Sequence, residues 1–333
     1  MKKLYPLFCF IFMVLSTVAC KQGNTENTPA VGDTVSVPSF SADSAMAHIE
    51  GQCDFGERVL GTAAHDDCGR YIAEAFRAQG CEVTIQEAEF RLYNGSRHKG
   101  FNIIASTNPE ASLRIMLCAH WDSRPWADND PDPSNHKKPV PAANDGASGV
   151  AVMLEIARQI KLQAPVIGVD FVCFDAEDAG VPEWDTSFSG SVNDEEASWC
   201  LGSQYWAKNP HRRDFEFAVL LDMVGGRGAT FYKEQFSMYY APSVVARVWA
   251  AAAEAGYGSC FPDDQSGGGA ITDDHLPLNR IAAIPSIDII DYRPAQRPGF
   301  CPTWHTLDDT PQNIDPLTLK AVGQTLLQLI YTF

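Results

Sequence analysis

Acids and histidines of the kind that bind metal ions stand at the ends of apolar runs along this chain, in the order His, Asp, Glu-Asp, Asp, His. The run LRIMLCA leads into His120-x-Asp122, and a loop then reaches Asp145 in AANDGASG. VDFVCFDA leads into Glu177-Asp178, FAVLLD ends on Asp222, and a Pro-rich loop presents Trp304-His305. Each alone has a plain explanation: Asp145 can cap the helix that SGVAVMLEIAR begins, and the others can be solvated strand ends. The set argues for chemistry. Every member falls where a buried strand or its loop ends, and a parallel sheet gathers those ends along one edge. Carboxylates and imidazoles without a cysteine suit Zn²⁺ at a catalytic site with an open coordination position.

The elements that must position these residues alternate. DDCGRYIAEAFRAQG carries apolar residues at 3–4 spacing and stops at Gly80, which predicts a helix. CEVTIQEAEFRL alternates as a strand, NGS turns, and HKGFNIIAST returns beside it. LRIMLCAH, VIGVDFVCF, FEFAVLLDMV and AAIPSIDII read as further buried strands. SGVAVMLEIARQIKLQ, WCLGSQYWAKNP, SVVARVWAAAAEAGYG and the closing DPLTLKAVGQTLLQLIYTF read as helices, the last started by Asp315-Pro316. This pattern predicts one α/β domain over residues 41–333, a three-layer sandwich with a mixed, largely parallel central sheet. Three loops, 123–143, 179–198 and 291–304, are longer than packing requires and adjoin the candidate ligands. Each carries a tryptophan among prolines and acids, as a pocket rim would.

Of 333 residues 45% are hydrophobic and 20% charged, enough for a substantial core. The net charge of −17 argues against nucleic acid and anionic membrane surfaces as partners. Lys2-Lys3 before LYPLFCFIFMVLSTVA read as a signal peptide over residues 1–19, too short and too early for a membrane span. Its end, Thr17-Val18-Ala19-Cys20, resembles a bacterial lipoprotein signal, which implies a lipid on Cys20 as the first mature residue. Polar residues up to position 40 read as a flexible tether. The expected location is the bacterial periplasm, with membrane contact only through the anchor at Cys20. Eight cysteines follow without the CxxC spacing of a structural zinc site. Cys118 and Cys173 lie inside strand runs and read as buried thiols.

The ligand order resembles that of the zinc aminopeptidases with a co-catalytic metal pair, over nearly the whole chain after residue 45. Several strings are closer to the glutaminyl-peptide cyclotransferases, or glutaminyl cyclases: AHWDSRPW, NDGASGVAVMLEIAR, FDAED followed by Trp184, LLDMVGG, TDDHLPL and WHTLDD. The last two are the most specific. This resemblance implies one Zn²⁺ per chain, held by Asp145, Asp178 and His305, with Glu177 as catalytic acid/base. It implies that Asp222 and Asp273 hydrogen-bond to each other and to Glu177. Trp184 and Trp304 match substrate-pocket aromatics, and Trp126 lies in the loop where another stands. His120 and Asp122 become outer neighbours of the metal. Two residues depart from the animal pattern: Asp178 stands in place of Glu, and Asp288 in place of His. A bacterial branch accounts for both.

The activity so implied converts N-terminal glutamine of peptides and exported proteins to pyroglutamate, with release of ammonia. The alternative is an aminopeptidase with two zinc ions, in which His120, Asp145 and Asp222 hold the second and Glu177 activates a bridging water. All six positions are present, so the residues alone leave both open; WHTLDD, DDHLP and Trp184 favour the cyclase.

Overall fold

The computed structural model describes residues 36–264, 268–296 and 299–333. The expected signal peptide, Cys20 and most of the tether lie outside the described residues. The last tether residues do not stay apart from the domain. The folded unit begins at Ser36, Phe40 is buried in the core, and its amide donates to Gln324 Oε1 at 2.9 Å. The reason is apolar: Val37 and Phe40 dock on the core, and Phe40 lies so close over Gly323 that a Cβ there would meet its ring at 2.1 Å.

The elements run α1 (Ala42–Cys53), α2 (Ala63–Ala78), β1 (Glu82–Arg91), β2 (Arg97–Ser106), β3 (Arg114–His120), α3 (Ala147–Leu162) and β4 (Gly168–Phe174). They continue with α4 (Val192–Glu196), α5 (Leu201–Lys208), β5 (Ala218–Asp222), α6 (Gln235–Tyr240), α7 (Pro242–Glu254), α8 (His275–Pro277), β6 (Ser286–Ile290) and α9 (Pro316–Tyr331). The strands form one sheet in the order β1-β2-β4-β3-β5-β6. The β1–β2 hairpin joins β4 antiparallel, whereas β4, β3, β5 and β6 are mutually parallel. The sheet is therefore mixed and largely parallel, as the alternating pattern requires.

Strand residues face alternate sides, and both sides are covered. Ile115, Leu117 and Ala119 of β3 enter a core with α1, α2, α3, α7 and α9. Met116 and Cys118 face the other side, with Trp206 and Ala207 of α5 and Leu278 after α8. This double burial explains the unbroken apolar runs that the sequence shows. Cys118 and Cys173 are buried, and the eight described cysteines are free thiols. The parallel strands end at His120, Phe174, Asp222 and Ile290, on the edge where the long loops rise.

Candidate active site

At that edge each strand hands its side chain to the same spot. His120 closes β3; its Nε2 lies 2.9 Å from Asp145 Oδ1 and 3.3 Å from Asp222 Oδ1, at the end of β5. Its Nδ1 lies 3.3 Å from Asp122 Oδ1. Asp122 in turn accepts the amides of Glu177 at 3.1 Å and Asp178 at 3.2 Å, so one carboxylate ties the end of β3 to the turn after β4. Asp145 precedes α3, and its turn is held by Asp309, which accepts the amides of Asn144 and Asp145. Gly146 is required there, because a Cβ would lie 2.4 Å from His120 O and 2.5 Å from its Nε2. His305 Nε2 closes the set, 3.2 Å from Asp178 Oδ1 and 3.6 Å from Asp145 Oδ2.

The backbone is under local strain around this spot. Positive φ occurs at Ala176 beside Glu177, at Met223 beside Asp222, at Cys200 and at His305 itself, all non-glycine. Each such residue costs on the order of 1–3 kcal/mol and persists only where its surroundings over-determine it. Here the surroundings do so: the amides of Cys200 and Leu201 donate to the carbonyls of Glu177 and Ala176.

Two donor sets result. Asp145, Asp178 and His305 place ligand atoms within 4.8 Å of one another, and so do His120, Asp145 and Asp222. A further test of fit to a cation is met in both sets. Asp178 Oδ2 in the first and Asp222 Oδ1 in the second are buried without a hydrogen-bond partner by strict geometry among the described residues, an expensive state for a carboxylate oxygen unless an ion satisfies it.

Glu177 is buried beside this set and receives a hydrogen bond from the Cys200 thiol at 3.3 Å. Burial and Asp178 push Glu177 well above the ordinary glutamate value. Burial opposes charge on His120, yet Asp122, Asp145 and Asp222 outweigh it and hold the imidazole well above its ordinary value. Burial and Asp145 raise Asp222 to about 6. Asp273 is buried near Glu177 and Cys200. Burial and Asp222 push it well above the carboxylate range. Its carboxyl lies against Asp288, within reach of a hydrogen bond once one of the two holds a proton. Asp288 lies on β6.

A cleft of about 530 Å³ opens over these groups, lined by Trp304, Trp199, Phe300, Tyr292, Phe188 and Ile271 as well as the acids. Trp304 stacks on His305, with ring centroids 3.8 Å apart, and Phe300 packs on Trp304 at 4.6 Å. Trp184 and Trp126 do not line this cleft. They pack edge to face on each other, and Trp184 Nε1 is turned away to donate to His136 O. Trp199 takes the wall, nearly parallel to the His305 ring at 6.5 Å. Trp199, Phe300, Arg124 and Cys200 escape sequence reading, since loop residues carry no periodicity to say which point inward. Arg124 offered one signal, its place two residues beyond Asp122 in AHWDSRPW.

Acids and imidazoles on the carboxyl edge of a three-layer α/β sandwich, under an aromatic cleft, define an enzyme of the zinc-aminopeptidase and glutaminyl-cyclase class. The model of Peptidase family M28 matches residues 102–330. A glutaminyl cyclase from Tannerella forsythia is 52% identical; the match covers 89% of this chain and 100% of that one, with a TM-score of 0.84. One from Bacteroides thetaiotaomicron, bound to N-acetylhistamine, is 50% identical over 90% and 100%, at 0.85. A Zn-dependent exopeptidase from Parabacteroides distasonis is 51% identical over 90% and 100%, also at 0.85. The chain belongs to peptidase family M28, on the branch of the bacterial glutaminyl cyclases.

Proposed function

We propose that this enzyme is a glutaminyl-peptide cyclotransferase: it closes the N-terminal glutamine of peptides and exported proteins to pyroglutamate and releases ammonia. The observation that carries this reading is identity at about half of the aligned positions with two glutaminyl cyclases, each matched along its whole length. Asp145, Asp178 and His305 would hold one zinc ion, as their donor set and the orphaned Asp178 Oδ2 favour. Zinc, when bound, supplies a Lewis acid toward the γ-carbonyl and positive charge for the oxygen that becomes anionic.

The chain's own residues do the rest. Trp304 and its aromatic neighbours wall the cleft, exclude water and fold the glutamine side chain back on its own α-amine. Such a near-attack arrangement is worth several kcal/mol, since well-oriented intramolecular reactions reach effective molarities of about 10⁵ M or more. The neutral α-amine nitrogen bonds to the γ-carbonyl carbon. Glu177 takes the proton that this nitrogen sheds and delivers it to the γ-amide nitrogen, whose bond to carbon breaks as ammonia leaves. The acids Asp222, Asp273 and Asp288 keep Glu177 company without a full complement of positive charge, which favours retention of a proton among them.

A second reading rests on one specific observation. His120, Asp145 and Asp222 also gather donor atoms within 4.8 Å, as a two-zinc aminopeptidase needs. Zinc per purified chain separates the two: one ion supports the cyclase, two the peptidase. We place the enzyme outside the cytoplasm, in the periplasm, on the strength of residues 1–20: a signal peptide ending at a Cys20 suited to lipidation. Radiolabelled palmitate incorporation that disappears in Cys20→Ala tests this; incorporation that persists contradicts it.

A further inference from the structure

We propose that Asp128 is a positioning residue of the metal centre: its single carboxylate fixes the His305 imidazole directly and the Asp178 carboxylate through Arg124. The inference rests on the assignment of Asp145, Asp178 and His305 as ligands, which the cyclase and peptidase readings share.

The side chain of Asp128 is fully buried and that of Arg124 nearly so. Arg124 Nε donates to Asp128 Oδ1 at 2.8 Å and Nη2 to Oδ2 at 2.5 Å. This fork occupies one edge of the guanidinium. Only Nη1 remains for Asp178, where it donates to Oδ1 at 3.2 Å and to the backbone carbonyl at 3.1 Å. Asp178 Oδ2 is thereby left with no hydrogen-bond partner among the described residues. Without Asp128, the same guanidinium would be free to grip Asp178 with two parallel hydrogen bonds, the geometry that arginine and carboxylate prefer. Arg124 would then compete with a cation for both oxygens. Asp128 prevents this by holding the fork itself, so that Asp178 is steadied by one oxygen and free to ligate with the other.

The same carboxylate reaches the second ligand. His305 Nδ1 lies 3.4 Å from Asp128 Oδ1. An imidazole that donates from Nδ1 to a carboxylate keeps its lone pair on Nε2, and Nε2 is the atom that faces Asp145 and Asp178. Asp128 Oδ2 also accepts the amide of Glu183 at 3.0 Å, while the guanidinium lies 4.7 Å over the Trp199 ring. The start of loop 179–198 and the cleft wall therefore share this anchor. Outer partners of metal ligands of this type typically contribute about 10–100-fold in metal affinity.

The test is Asp128→Asn, which keeps the shape and removes the charge. Zinc affinity is measured by competition with a chelator, and the cobalt-substituted protein is examined by visible spectroscopy. Zinc is expected to bind about 10–100-fold more weakly, the cobalt spectrum to change, and the metal-free variant to keep its helix content. Zinc affinity within about threefold of the unaltered enzyme, against that 10–100-fold expectation, with the same cobalt spectrum, overturns the proposal. So does a loss of affinity that merely tracks a loss of helix content. If Asp128→Asn does not yield folded protein, Asp128→Glu carries the test, because it retains the charge but displaces it by a methylene; the same two results decide. Neither measurement uses a substrate, so failure of the unaltered enzyme to cyclise glutamine would refute the proposed reaction and leave this result standing.

Discussion

Replacing Asp122 by asparagine probes how the turn after β4 is held. Among the described residues the Asp122 carboxylate has three hydrogen-bond partners: His120 Nδ1 and the Glu177 amide on Oδ1, and the Asp178 amide on Oδ2. Asparagine can offer only one oxygen. If that oxygen takes the Oδ1 position, the first two contacts survive and the Asp178 amide faces an NH₂ group. The opposite flip loses both of the others, so the first is favoured. The cost is one buried N–H without an acceptor, about 1–3 kcal/mol. Because the orphaned amide belongs to Asp178, the loss falls on a proposed ligand more than on Glu177. Asp122→Asn is expected to lower the unfolding free energy of the metal-free protein in urea by about 1–3 kcal/mol and to weaken zinc by about 10-fold or more. A stability change within about 0.5 kcal/mol, the usual range for a neutral surface substitution, together with unchanged zinc affinity would refute this account of the turn.

Glu177→Gln should retain zinc and lose about 10²–10⁴-fold in kcat, the scale of a positioned proton-transfer group; loss of zinc by equilibrium dialysis would show that ligand and base have been exchanged. Trp304→Ala should lower kcat/KM for glutamine peptides by about 10-fold or more, roughly 1.4 kcal/mol, whereas Trp184→Ala should act mainly on melting temperature, because Trp184 packs on Trp126 and bonds His136 O. The reverse pattern would return Trp184 to the pocket. Burial holds Asp274 up at about 7, above its unfolded value, so it contributes stability at low pH that is lost as pH rises from about 4 through 7. Asp274→Asn should therefore flatten the fall in stability over that window, measured by urea unfolding of the metal-free protein; an unchanged slope would show that Asp274 ionises as freely folded as unfolded.

The ligand candidates were legible because strand ends are legible. Unbroken apolar runs mark doubly buried parallel strands, and the residue that follows each run must emerge at the sheet edge. His120, Glu177-Asp178 and Asp222 are such residues. Asp145 and His305 lie on loops, and only their company in one order singled them out. Side-chain direction within loops has no such rule. Trp184 and Trp199 are both flanked by acids and turns, yet Trp199 faces His305 and Trp184 faces the opposite loop. Asp128 and Arg124 were hidden in a Pro-rich stretch for the same reason. Helix α1 has little apolar contrast: its buried residues are Ala45, Ile49 and Gln52. Its clearest mark in the sequence is Ser41, whose side chain accepts the Ser44 amide as an N-cap. Residues 36–40 looked like tether because Val37 and Phe40 show their purpose only against Gly323 and the core that receives them.

The proposed cyclisation leaves peptide length unchanged, and one incubation tests it. The zinc-loaded domain is mixed with a Gln-peptide and, separately, with Ala- and Leu-peptides of the same tail, and ammonia and free amino acids are assayed with the product masses. The expected result is ammonia from the Gln-peptide alone, a product lighter by one ammonia, and no shortening of any peptide. Free alanine or leucine released at a rate comparable to ammonia would contradict it and make the enzyme an aminopeptidase.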